Sequence, residues 1–235
     1  MFKKTKYKWW NARIKSLFQL YDILRIDHFR GFDEYYAVPY GDETAENGKW
    51  RQGPGIEFFK AIREKMGELP IIAEDLGTFG EDVIKLLEDT NFPGMRVIQF
   101  GFDPMGDSTH LPHNYPKNSV AYVGTHDNDT IMGYMTKTAS RKTRKRAKDY
   151  LRLTRKEGYN WGMMKAIWSS NSDTAIVTMQ DLLGLGNEAR MNYPSTVKDN
   201  WQWRAKPDYI TEDLTEKLRY YTNLYQRIPK KKRVK

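Results

Sequence analysis

The sequence predicts an α/β fold, a parallel sheet covered by helices. Short apolar runs rich in β-branched residues recur along the chain, and stretches with helical apolar spacing lie between them. No segment looks like an independent second domain. One α/β unit is therefore expected over residues 1–226, with a basic tail at 227–235.

Trp10, Ile14, Leu17, Phe18 and Tyr21 recur at helical spacing and predict a helix over 9–21. The run ILRID (23–27) follows as a strand that ends in charge. Gly41, Gly48, Gly53, Pro54 and Gly55 mark the next stretch as a long polar loop. A helix over about 55–66 leads through Pro70 into a second strand, IIAE (71–74). Thr78 and Glu81 fit a capping box, opening a helix with Val83, Leu86 and Leu87 on one face. MRVIQFGF (95–102) and VAYVGTHD (120–127) read as strands, and Trp161–Trp168 as a helix. A fifth strand lies within 174–185, irregular Asn-, Pro- and Trp-rich chain spans 187–204, and a helix over 211–226 closes the pattern.

Composition excludes several function classes. There is no cysteine, hence no disulfide or thiolate metal site, which fits a reducing cytoplasm. No run of about 18 apolar residues exists to span a membrane. MFKKTKYKWW (1–10) lacks the apolar stretch of a secretory signal. The net charge of +9 suggests nucleic acid, but it is concentrated. Residues 141–156 hold nine Lys/Arg and one Asp, residues 227–235 hold six bases, and the remainder is at −5. A solvated helix face and a basic tail account for both runs, and no nucleic-acid fold signature accompanies them.

The chemistry-bearing residues sit where strands stop. Asp27 ends ILRID, Glu74 ends IIAE and Asp127 ends YVGTHD. Residues at the carboxyl ends of strands in a parallel α/β barrel converge on one mouth, where active sites form. Arg25, two residues before Asp27, falls on the same side of its strand and would balance the Asp27 charge. A single acid after a strand often only caps the next helix. Three such acids, one beside Arg25 and one beside His126, favour a site without naming its reaction. A divalent cation could be served by Asp27, Glu74, Asp75, Asp127 and Asp129, and a glycosidase needs only two of these carboxylates.

RIDHFRGF (25–32), DETAENGKWRQGPG (42–55), IIAEDLG (71–77), FPGMRVIQF (92–100), LPHNY (111–115), VGTHDNDT (123–130) and QDLLGLGNEARMN (180–192) occur in the order and spacing seen in amylomaltases, or disproportionating enzymes. NWQWR (200–204) resembles that family's C-terminal signature. The resemblance runs from about Lys8 to Gln226. It implies a 4-α-glucanotransferase that works on maltooligosaccharides and α-1,4-glucans with retention, inside a (β/α)₈ barrel and without cofactor or metal. Asp27 would be the nucleophile, Glu74 the general acid and base, and Asp127 the stabiliser of the transition state. Arg25 would orient Asp27 and His126 would hydrogen-bond the sugar, with His28, Trp50, His113 and Asn114 as further substrate contacts. Tyr35 and Tyr36 would add aromatic surface.

In that family RIDHF lies on the fourth barrel strand. The resemblance therefore implies a partial TIM barrel, strands four to eight with their covering helices. Such a piece is expected to be weakly stable and of little activity alone, because open strand edges are exposed. The competing expectation is a catalytically silent remnant of the same family that still binds glucan.

Overall fold

The computed structural model describes residues 3–77, 80–106 and 108–228. These form two compact units that divide after Met95.

The first unit opens with helix α1 (Lys8–Leu17) and strand β1 (Leu24–Ile26). The helix stops four residues earlier than its apolar spacing suggests. The amides of Gln19 and Leu20 reach back only three residues, to Ser16 and Leu17, which tightens the last turn and ends it. Leu20 and Tyr21 are left exposed. Strands β2 (Glu34–Ala37) and β3 (Lys49–Gln52) then form an antiparallel ribbon, with Tyr36 opposite Trp50, inside the stretch expected to be loop. Helix α2 (Ile56–Met66), strand β4 (Ile71–Ala73) and helix α3 (Glu81–Thr90) complete the unit. Gly80 occupies the N-cap of α3, so Glu81 is its first residue and not the third that a capping box needs. Thr78 lies outside the described residues.

β1 pairs with β4 in parallel, Leu24 to Ile71 through Ile26 to Ala73. β4 pairs in parallel with β5 (Gly94–Val97) through Ala73 and Gly94. The core beneath these strands is aromatic. Phe29, Phe58 and Phe59 are buried and meet Phe32, with ring centroids 4.8 Å apart for Phe32–Phe58 and 5.5 Å for Phe29–Phe59. Spacings of this kind give aromatic pairs about 0.5–1.5 kcal/mol beyond area burial.

In the second unit the expected strand 95–102 ends at Val97, and Ile98–Phe102 is a 3₁₀ helix. Ile98, Gln99, Gly101 and Phe102 are buried while Phe100 is exposed, the i, i+1, i+3, i+4 pattern of a helix and not the alternation of a strand. β6 (Ser119–Tyr122) follows, then helix α4 (Ile131–Gly133), which runs into a π-helical turn at Tyr134–Thr138. The basic segment is helix α5 (Arg141–Leu151), started by the Ser140 hydroxyl accepting the Thr143 amide at 3.1 Å. Its buried residues are Thr143 and Ala147; Arg141, Lys142 and Lys145 are exposed, and Arg144, Arg146 and Lys148 are half-buried. Helix α6 (Tyr159–Trp168), strand β7 (Thr174–Ile176), the short helix α7 (Met179–Leu182) and helix α8 (Glu212–Leu224) complete it. β6 and β7 are parallel, Val120 facing Thr174.

α6 is the central helix of this unit. Met163, Met164 and Ile167 are fully buried, and Trp161 and Trp168 meet Tyr221 of α8. Past the end of α8, Arg227 donates to the carbonyls of Ile167, Trp168, Ser170 and Ser172. The rest of the tail, PKKKRVK, lies outside the described residues. No described helix is long and apolar enough to cross a membrane.

Candidate active site

The register of β1 on β4 decides what meets in the first unit. Ile26 is opposite Ala73, so Asp27 and Glu74 are the next residues on two neighbouring strands. Arg25 Nη1 lies 2.7 Å from Asp27 Oδ1, and Arg25 Nε reaches Met95 Sδ at 3.3 Å. The Asp27 side chain is 75% exposed, open to a reactant.

Glu74 is fixed more tightly. Its amide donates to Ile26 O at 2.9 Å, and its carbonyl accepts from the Phe29 amide at 3.1 Å. Its Oε2 accepts the His28 main-chain N–H at 2.7 Å, and its Oε1 accepts the Leu76 N–H at 2.9 Å. Asp75, next in sequence, turns inward, and its Oδ1 accepts the Met95 N–H at 2.6 Å. Gly94 allows that approach, because a Cβ there would lie 2.4 Å from Asp75 Oδ2.

Trp50 pairs with Tyr36 across the ribbon, ring centroids 5.4 Å apart, and the Arg30 guanidinium sits 4.4 Å over its ring. Tyr35, Tyr36 and Trp50 are each partly open to solvent.

In the second unit Asp127 follows β6 in a turn whose amides are held by side chains. The Thr125 N–H donates to Asn128 Oδ1 at 2.8 Å, and the Asp127 N–H donates to Thr125 Oγ1 at 3.3 Å. Asp127 Oδ2 lies 3.4 Å from His126 Nε2, and Asp127 Oδ1 accepts from Asn192 Nδ2 at 2.6 Å. The His126 ring rests 5.1 Å from that of Trp201.

Arg190 ties this turn to the 187–192 segment. It is ion-paired with buried Asp129 and donates to the carbonyls of Asp127 at 2.6 Å and Asn192 at 2.9 Å. It also lies 4.4 Å over the Tyr193 ring. Asn187 donates to Asp129 Oδ1 at 2.9 Å and accepts from the Thr130 amide. Asp181, beside this segment, accepts the Ile131 N–H at 2.6 Å, and burial pushes its carboxyl pKa up. Reading the strand ends alone does not find Arg190, Asn187, Asn192 or Trp201. The signals that cover them are the motifs QDLLGLGNEARMN and NWQWR, which carry the family resemblance without assigning these residues a role.

Gly133 shows how little room this network has. A Cβ there would lie 1.9 Å from Asn187 Oδ1. Gly133→Ala is therefore expected to displace Asn187 and cost about 1–3 kcal/mol by overpacking. A urea midpoint unchanged from wild type would count against that tightness.

The other expected contacts have local partners. His113 Nδ1 is 2.6 Å from the Tyr150 hydroxyl of α5, and Asn114 Nδ2 donates to Ser108 O at 2.9 Å.

A family model described as 4-alpha-glucanotransferase matches residues 1–211. The chain belongs to the 4-alpha-glucanotransferase family. A family member from Clostridium butyricum is 52% identical over 225 residues, covering 96% of this chain and 46% of that protein. One from Streptococcus pneumoniae is 47% identical over 225 residues, covering 96% and 45%. The structure of an amylomaltase from Streptococcus agalactiae in complex with acarbose superposes with a TM-score of 0.91 at 41% identity, over 96% of this chain and 46% of that one. The chain thus spans about half the length of the 4-alpha-glucanotransferases it matches.

Proposed function

We propose that this chain carries the catalytic carboxylates of a retaining α-1,4-glucan transferase, on strands that correspond to the fourth to eighth of a (β/α)₈ barrel. One observation carries the reading: Asp27, ion-paired to Arg25, and Glu74, held by two main-chain amides, end neighbouring parallel strands. Strands so paired lie about 4.8 Å apart, which suits the roughly 5–5.5 Å between the carboxyl groups of a retaining pair.

In the proposed reaction an Asp27 oxygen attacks the anomeric carbon of an α-1,4-glucan. The glycosidic bond breaks, and the departing oxygen takes the Glu74 proton. The carboxylate left on Glu74 then removes a proton from an acceptor glucan's hydroxyl. That oxygen attacks the same carbon and releases Asp27. Asp127, with His126 beside it, would bind hydroxyls of the distorted sugar in the transition state.

A 5-fluoroglucosyl donor tests this, because the fluorine slows the second step and lets the glycosyl-enzyme accumulate. Peptide mass spectrometry should find one glucosyl adduct, on Asp27. Glucan binding with no adduct would support the silent-remnant reading instead, and an adduct on another carboxylate would refute the assignment.

A further inference from the structure

We infer that His28 serves the reaction through its main chain, as the residue that positions Glu74. The inference rests on the proposed acid–base role of Glu74 and adds what holds that group in place.

His28 has φ 49° and ψ 53°, the left-handed conformation. Side chains with a Cβ rarely adopt it, although Asn, Asp and His do so more readily than others. Here it turns the chain from the end of β1 into the 3₁₀ turn Phe29–Phe32, with the His28 N–H 2.7 Å from Glu74 Oε2. The same short segment binds residue 74 twice more, through Ile26 O and the Phe29 N–H. Leu76 N–H holds the other carboxyl oxygen.

Each carboxylate oxygen has about two lone-pair directions. With one direction on each oxygen filled by a main-chain donor, the remaining ones point along a fixed line. A group that must give a proton to one oxygen and later take one from another gains from such preorganisation. Main-chain donors supply it without rotamer freedom. The residue that does so adjoins Asp27, so one backbone turn carries the nucleophile and positions the proton donor.

Two measurements test the inference, one without turnover. In NMR spectra the His28 amide proton should titrate with the same midpoint as the Glu74 side-chain carboxyl carbon, and Glu74→Gln should abolish that titration. An amide that ignores Glu74 overturns the inference.

The second is a ratio of rates on two donors, maltotriose and α-maltosyl fluoride. Fluoride departs with little help from an acid, so only the maltotriose rate needs a well-aimed Glu74. His28→Val disfavours the left-handed turn and should lower the maltotriose-to-fluoride ratio, by on the order of 100-fold for a misplacement near 1 Å. His28→Asn, which tolerates that turn, should restore the ratio toward that of wild type. If Asn and Val lower it equally, the imidazole itself is what matters and the inference fails. Wild-type protein silent on both donors would refute the transferase reading and the catalytic role with it, while the amide titration would still report the pairing.

Discussion

Arg190→Ala is expected to destabilise the folded protein by about 3–5 kcal/mol, the usual cost of removing one partner from a buried ion pair. The Arg190 and Asp129 side chains are only 15% and 7% exposed, so water cannot replace the lost guanidinium. The same substitution strips donors from the carbonyls of Asp127 and Asn192. Chemical denaturation gives the measurement. A shift within about 0.5 kcal/mol, as for an ordinary surface substitution, would contradict the buried-pair account. Asp129→Asn in the Arg190→Ala background removes the stranded charge and should recover part of the loss. Adjacent members of one network couple by about 0.5–3 kcal/mol, so the two substitutions should not add.

Glu74→Gln should lower turnover of maltotriose by about 10²–10⁴-fold, the range of general acid–base catalysis. Glutamine keeps the size but has no acidic proton to give, and its one carbonyl oxygen can accept from only one of the two main-chain N–H groups that hold Glu74. The two steps should respond differently when the donor is α-maltosyl fluoride. Glycosylation of Asp27 needs little protonation of fluoride and should stay rapid. Transfer to an acceptor needs a base to take the hydroxyl proton and should be slow. A burst of about one fluoride per active site, followed by a slow phase, is the expected signature. Equal slowing of both donors in both phases would argue that Glu74 shapes the site without exchanging protons.

Much of this was legible in the amino-acid order because strand ends are marked twice, by apolar runs and by the polarity that follows. ILRID and IIAE place Asp27 and Glu74 directly after strands before any coordinate is known, whereas the strand expected over 120–127 stops at Tyr122 and leaves Asp127 in the turn beyond it. The short helices and ribbons were harder to read. The β2–β3 ribbon pairs YY with WR across the loop 38–48, and pairing between distant residues leaves no local period. Ile98, Phe100 and Phe102 alternate with Gln99 and Gly101 as in a strand, yet the segment coils, burying Gln99 and Gly101 and exposing Phe100. The support around Asp127 was hidden for another reason. Arg190, Asn187 and Asn192 are polar residues in irregular chain, and such residues ordinarily signal exposure. Their ordering comes from partners roughly 60 residues away, Asp127 and Asp129. The fixing of Glu74 by amides was hidden too, since a main-chain donor has no letter in the sequence.

Arg227 carries a consequence for how the strongly basic end of the chain is counted. Its guanidinium is consumed by carbonyls at the close of α6, where a cation also favours the negative end of the helix dipole. Bonds to neutral carbonyls leave the charge in place but fix where it sits, so this base also acts as a fastener. Shortening the polypeptide before position 227 would uncap a tryptophan-bearing helix some 60 residues upstream. Shortening it just after would leave the clasp intact.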